Sequence, residues 1–144
     1  MDLLNILTNS LSGLWPKPDE NPHLVNGKLR PCPGTPNCVS SESDDMIHRI
    51  DPFAFNGSTE QAWDFLKKVI SENGGTVHDE QPEYIWSTFI VPVFGFIDDV
   101  EFRLCPKECV IHVRSASRLG FSDLGVNRAR VEQLRTSFTN VMKL

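Results

Sequence analysis

The sequence predicts an α+β fold, in which an antiparallel sheet of about five strands carries two helices on one face. Two segments have apolar residues at helical spacing, and the segments around them alternate between apolar and polar residues, as half-buried strands do. The predicted order is β-α-β-β-β-β-α. Because each helical segment has a single apolar stripe, the simplest packing places both helices on the same face of the sheet.

The first 28 residues predict an N-terminal helix and a Pro-rich arm, ahead of a single domain over residues 29–144. Leucines recur at helical spacing between residues 2 and 15, which predicts an amphipathic helix. Its polar face has no Lys or Arg, so docking on the domain or on a protein partner is favoured over peripheral binding to an anionic membrane. Six prolines between residues 16 and 45 predict a linker without regular structure.

A capping box predicts the start of the first helix of the domain. Ser58 stands at the N-cap and Gln61 follows three residues later. A strand over residues 47–55 precedes this helix, and strands over residues 76–80 and 84–91 follow it.

The stretch over residues 89–97 is almost entirely apolar, with Pro92 and Gly95 as exceptions. A central strand rarely contains proline or glycine, so two interpretations remain. The stretch is a bend packed in the core, which we favour, or an exposed lip that marks a ligand mouth or a partner surface.

A hairpin over residues 98–105 and 109–116 has a register set by its apolar pattern. Keeping the apolar residues of both strands on one face pairs Phe102 with Val113. The other face of the sheet is predicted to remain open. It would carry Glu101, Arg103, His112 and Arg114.

The last helix follows a polar turn rich in arginine and serine. Residues from Val131 onwards form its apolar stripe. Ser122, Asp123 and Asn127 are the candidate N-caps.

Charge and hydropathy exclude two classes of function. The net charge is −5, with −9 over residues 1–100 (6 Lys+Arg against 15 Asp+Glu) and +4 over residues 101–144 (8 against 4). An acidic protein is poorly suited to bind nucleic acid. No apolar run is long enough for a transmembrane span, and no signal peptide is evident, so a cytoplasmic location is the default expectation.

The four cysteines permit a disulfide but fit a zinc site poorly. Cys32 and Cys38 flank a turn containing two prolines and a glycine, which a disulfide could close in an oxidising compartment. A nucleophilic cysteine is the alternative, but it would need a nearby base. Five residues separate this pair, more than zinc pairs usually have, and three separate Cys105 from Cys109. We expect no metal or cofactor.

The polar residues between the hairpin and the last helix form the candidate site. Arginine side chains near a helix start suit a carboxylate or phosphate ligand. The same arginines could instead pair with acidic residues of the preceding strand and hold the fold together. The predicted ligand-binding residues are Asp98, Asp99, Glu101, Arg114, Ser115, Ser117, Arg118, Asp123, Asn127 and Arg128.

Enzyme chemistry is less favoured because no complete catalytic motif is present. A hydrolase would have to use Asp98, Asp99, Asp123 or His112 as acid–base groups.

Three motifs also carry a resemblance to a known family. They are Cys-Pro-x-x-Pro-Asn-Cys-Val-Ser-Ser at residues 32–41, Asp-Asp-Val-Glu-Phe at 98–102, and Arg-Ser-Ala-Ser-Arg at 114–118 followed by Ser-Asp-Leu-Gly-Val-Asn-Arg at 122–128. Over residues 29–138 the chain resembles the domain-of-unknown-function family 1499, in its bacterial and especially cyanobacterial form. The resemblance implies no activity. It implies that many relatives are exported or membrane-anchored, which differs from the default location above.

The sequence therefore predicts a non-enzymatic module that binds a small anionic or amphipathic ligand. The first alternative is a scaffold or assembly protein that docks on a protein partner through the N-terminal helix and residues 89–97. The second is a hydrolase.

Overall fold

The computed structural model describes residues 3, 4, 6, 20–92, 95–119 and 125–143. These residues form an α+β fold of six strands and two helices. The strands are β1 (Cys38–Ser40), β2 (Phe53–Ala54), β3 (Thr76–Gln81), β4 (Tyr84–Ile90), β5 (Ile97–Cys105) and β6 (Val110–Ser117). The helices are α1 (Thr59–Glu72) and α2 (Val126–Met142), and a short 3-10 helix (Pro106–Glu108) joins β5 to β6.

All the paired strands run antiparallel, in the order β1-β6-β5-β4-β3. β2 also pairs with β6. β1 lies against residues 114–116 of β6 and β2 against residues 110–111, so the two short strands follow one another along the same edge.

Helix α1 begins where the sequence predicts. The Ser58 hydroxyl accepts a hydrogen bond from the Gln61 backbone N–H at 3.1 Å, as an N-cap does. After the helix, the chain passes so close to β4 that a Cβ atom on Gly75 would overlap the Phe89 ring and the Ile70 side chain. Glycine is therefore required at that position.

The core lies between the helices and one face of the sheet. Because side chains alternate along a strand, every second residue of β4, β5 and β6 points to this face. One buried cluster contains Leu66, Val69 and Ile70 of α1, Val131, Leu134 and Phe138 of α2, and Ile85, Phe89, Val100, Phe102, Ile111 and Val113 of the sheet. The opposite face is called the outer face below.

Two strand predictions need correction. The predicted strand over residues 47–55 is reduced to Phe53–Ala54, because residues 45–48 form a turn in which Asp45 accepts the His48 backbone N–H at 2.9 Å. β1 lies in the segment predicted as a linker, and it brings the sheet to six strands instead of about five. Its three residues are ordered by pairing with β6, not by a pattern of their own.

The apolar stretch over residues 89–97 divides between the core and the surface. Phe89 is buried, whereas Ile90 and Phe96 are each 36% exposed. Residues 93 and 94 lie outside the described part.

The outer face is not open, contrary to the prediction. Residues 24–32, which we call the N-terminal arm, lie across it. Leu29 is buried against Tyr84 and Trp86 of β4, with Leu24 beside them. The arm lies within residues 16–45, where six prolines predict a linker without regular structure, but irregular backbone can still bury a leucine.

The predicted helix over residues 2–15 lies outside the described residues, apart from Leu3, Leu4 and Ile6. The side chains of these three are exposed. Among the described residues, no helix has the length and hydropathy to cross a membrane.

Candidate functional site

The register of β5 and β6 divides the predicted site residues between the two faces of the sheet. Phe102 lies opposite Val113 and Glu101 opposite Arg114, as predicted. Asp99, Glu101 and Arg114 therefore belong to the outer face. Asp98 and Ser115 point the other way, towards the helices. The predicted cluster is two clusters, separated by the thickness of the sheet.

Glu101 is the centre of the outer-face network, which we define as Asp99, Glu101, Arg114 and Arg118 with Arg30, Tyr84 and Trp86. Its side chain is fully buried. The Tyr84 hydroxyl donates to it at 2.8 Å, Arg114 donates at 3.4 Å, and Arg30 of the N-terminal arm lies 3.6 Å away. One carboxylate is thus shared by two guanidinium groups.

Asp99 holds the second ion pair of this network. Arg118 binds its two oxygens with two N–H groups, at 2.9 and 3.0 Å. The Trp86 indole N–H donates to the same carboxylate at 2.9 Å. A bidentate pair of this kind fixes the orientation of both side chains.

Burial shapes the electrostatics around Glu101. It raises the pKa of the Tyr84 hydroxyl far above its ordinary value, and the nearby Glu101 carboxylate adds to the rise. Tyr84 therefore stays protonated and donates a hydrogen bond to Glu101. Burial lowers the pKa of the Arg114 guanidinium, while Glu101 acts in the opposite direction. The buried Nε atoms of Arg30 and Arg114 have no hydrogen-bond partner among the described residues.

Asn127 is the centre of the helix-face cluster, which we define as Asp98, Ser115, Ser117, Asn127 and Arg130. Ser115 donates to the Asn127 side-chain oxygen, and the Asn127 amide donates to the Ser117 hydroxyl at 2.8 Å. Arg130 donates to Asp98 at 2.6 Å and to Asn127 at 3.2 Å. Asn127 lies in the first turn of α2 and joins that helix to β6. It is therefore not the N-cap, which is Gly125.

The remaining predicted residues lie elsewhere. Arg128 donates to the backbone oxygens of Arg49 and Ile47, at 2.9 and 3.0 Å, and so holds the turn before β2. Asp123 lies outside the described residues.

A cavity of about 530 Å³ adjoins the helix-face cluster. We call it the helix-end cavity, because it lies between the end of α1, the end of β4 and the start of α2. Arg130 reaches it with its guanidinium 5.3 Å from the centre of the Phe89 ring. The lining residues are Asn73, Gly74, Phe89, Ile90, Pro92, Val126, Ala129, Arg130, Gln133 and Leu134.

A protein-family model for proteins of unknown function, DUF1499, matches residues 28–138. The chain belongs to the DUF1499 family. The resemblance predicted from three motifs is thereby confirmed. No curated protein shows significant similarity to the chain. The DUF1499 match includes both clusters, the lining of the helix-end cavity and the second half of the N-terminal arm.

Two residues of the DUF1499 domain form a serine–histidine pair that the sequence did not reveal. The Ser41 hydroxyl lies 2.9 Å from Nδ1 of His112, and burial lowers the pKa of that imidazole despite the nearby Glu42. However, Ser41 is only 3% exposed and its hydroxyl accepts the Val113 N–H at 2.9 Å. The pair fastens the residue after β1 to β6. A buried hydroxyl of this kind offers no nucleophile to a substrate.

Sequence reasoning also missed Arg30, Tyr84, Trp86 and Arg130. The alternation along β4 places Tyr84 and Trp86 on the face of Glu101, so that signal was present. Nothing in the arm marked Arg30. Within the described ranges, no group of three or more His, Cys, Asp or Glu residues is arranged to hold a metal ion.

Proposed function

We propose that this DUF1499 protein is a non-enzymatic module that binds a small amphipathic anion in the helix-end cavity. The observation that carries the proposal is the composition of the cavity wall. Phe89, Ile90, Pro92, Val126 and Leu134 are apolar, and Arg130 supplies a cation beside them. Small-ligand sites are commonly cavities of about 300–1,000 Å³ with mostly apolar walls and a few polar groups.

The start of α2 adds to the positive charge of the cavity. Val126 is the first helical residue and lines the cavity, and the first turn contains no acidic residue. The positive end of a helix dipole, which lies at the helix start, favours an anion. Arg130 is already paired with Asp98, which supports its orientation and moderates its charge. A single carboxylate or phosphate head with an apolar tail is the ligand class that fits.

A cavity-filling variant tests the site without breaking the ion pair. Ala129 lies on the exposed side of α2 and lines the cavity, so Ala129→Trp should occupy the space of the apolar tail. With decanoate and decyl phosphate as probes in isothermal titration calorimetry, we expect the variant to lose at least tenfold in affinity. Asn140→Trp, exposed on the same helix but absent from the lining, is the matched control and should bind as the wild type does. Equal binding by the wild type and Ala129→Trp would contradict the proposal.

The scaffold alternative keeps support from exposed apolar side chains near the turn between β4 and β5. Ile90 and Phe96 are each 36% exposed there. If this surface joins copies of the chain, the sedimentation coefficient of the wild type should rise with concentration and that of Phe96→Asp should not. Val25→Asp, at an exposed apolar position on the N-terminal arm, is the control. A concentration-independent wild type would exclude self-assembly through this surface.

A further inference from the structure

We infer that the N-terminal arm is a cover over the outer face, latched by the Cys32–Cys38 disulfide, and that reduction of this bond releases it. The disulfide joins the last residue of the arm to the first residue of β1. This inference concerns the face of the sheet opposite the helix-end cavity. It does not depend on the function proposed for that cavity.

Three consecutive arm residues make the contacts that close the cover. Leu29 is 5% exposed, packs against Tyr84 and Trp86, and donates its backbone N–H to Glu42 at 3.0 Å. Arg30 pairs with Glu101. The backbone oxygen of Pro31 accepts from Arg114 at 3.3 Å.

The disulfide keeps these contacts within reach. The bond holds the Cα atoms of Cys32 and Cys38 5.7 Å apart. Because a chain extends by at most about 3.6 Å per residue, the connection of six residues alone would let these two atoms separate to about 22 Å. β1 is itself paired with β6, which fixes Cys38 in the sheet. Once the bond is broken, Cys32 is free to move and the arm loses its covalent anchor on the outer face.

The network beneath the arm tolerates its departure. Glu101 is shared by Arg30 and Arg114, so it keeps Arg114 and Tyr84 when Arg30 leaves. The Arg30 guanidinium group, which shares the Glu101 carboxylate with Arg114, then becomes solvated by water. Removal of Arg30 therefore leaves no buried charge without a partner. The main cost is the exposure of Leu29 and of the two aromatic rings beneath it.

A reductant can approach the latch from one side. Cys32 is half-buried and lines a cavity of about 550 Å³ bounded by the arm and residues 40–45, whereas Cys38 is 1% exposed. A thiolate of a dithiol attacks the Cys32 sulfur, forms a mixed disulfide and releases the Cys38 thiolate. The second thiol of the dithiol then displaces Cys32. Two electrons pass from the dithiol, which becomes a disulfide, and its two protons go to the two cysteines.

Trypsin cleavage after Lys28 reports release of the arm. Within the arm, Arg30 is followed by proline, where trypsin does not cleave, so Lys28–Leu29 is the scissile bond. It is protected while Leu29 is buried. The experiment uses the full chain with Cys105→Ser and Cys109→Ser, so that dithiothreitol acts only at Cys32 and Cys38. We expect reduction to raise the cleavage rate at least tenfold.

Cleavage after Lys68, on the exposed side of α1, separates release of the arm from unfolding of the domain. Its rate should stay unchanged on reduction. A Cys32→Ser variant in the same background should be cleaved after Lys28 at the fast rate with or without dithiothreitol. An unchanged rate at Lys28 in both the reduced protein and Cys32→Ser would overturn the inference, and so would an equal acceleration at Lys68.

Discussion

At the scale of single residues, the two arginine partners of Glu101 differ in how deeply they are buried. The Glu101 side chain is fully buried, as is nearly all of Arg114, whereas the Arg30 side chain is 30% exposed. Breaking a buried ion pair by removing one partner costs about 3–5 kcal/mol, because the other charge is left without compensation. An ion pair with a partly exposed partner contributes at most about 1 kcal/mol.

We therefore expect substitutions of Glu101 and of Arg30 to lower the free energy of unfolding by different amounts. Glu101→Gln should lower the free energy of unfolding by about 3–5 kcal/mol, because it leaves two guanidinium groups without a counter-charge. Arg30→Ala should lower it by about 1 kcal/mol or less. Urea unfolding followed by circular dichroism measures both, with the slope against urea concentration as a check for two-state behaviour. Similar losses for the two variants would show that Arg30 is as important to Glu101 as Arg114 is.

At the scale of elements, local signals predicted the fold well wherever an element was stabilised by its own sequence. The Ser58 cap gave the start of α1, and the apolar pattern gave the pairing of Phe102 with Val113. β1 and the N-terminal arm were missed because both are ordered by distant partners. β1 needs the edge of β6, and the arm needs Tyr84 and Trp86 beneath Leu29.

The candidate site was predictable in composition but not in arrangement. The sequence identified Arg114, Arg118 and the carboxylates of β5 but not Arg30 or Arg130. The alternation of side chains along β5 already placed Asp98 and Asp99 on opposite faces. The sequence could not show that Arg130 reaches Asp98, since that contact depends on how α2 lies on the sheet. Nor could it show that Arg30, remote in sequence from β5, approaches Glu101.

At the scale of the whole molecule, the sheet separates two polar clusters whose roles differ. The outer-face network is sealed by the N-terminal arm, and its ion pairs hold irregular chain to the sheet. The helix-face cluster borders a cavity with apolar walls. A ligand at the second site would contact the helices without disturbing the first, so binding and closure of the arm should be separable by substitutions on either face.

His48 joins the turn at residues 45–48 to the loop between Cys32 and Cys38, and the charge of its ring depends on pH. Its ring is buried, and Nδ1 lies 2.8 Å from the Asp45 carboxylate while Nε2 lies 2.9 Å from the Thr35 backbone oxygen in the disulfide loop. Only a protonated imidazole donates at both nitrogens. The Asp45 hydrogen bond, followed by that of Thr35, raises the pKa of His48, although burial and the Arg128 charge oppose the rise. The His48 hydrogen bonds lower the pKa of Asp45 to about 2.

These shifts give the stabilisation from the pair a defined pH window. The pKa of His48 is raised in the folded state above its ordinary value of 6.5. Its contribution to the free energy of unfolding is therefore complete below pH 6.5 and is lost as the pH rises through the folded-state pKa. The pKa of Asp45 is lowered in the folded state from its ordinary value of 3.8. Its contribution to the free energy of unfolding is therefore complete above pH 3.8 and is lost as the pH falls towards 2. The difference in free energy of unfolding between the wild type and His48→Gln should therefore be largest between pH 3.8 and 6.5, and should shrink on either side. Urea unfolding of both proteins across this range measures it, and a difference that does not change with pH would mean that His48 is neutral in the folded protein.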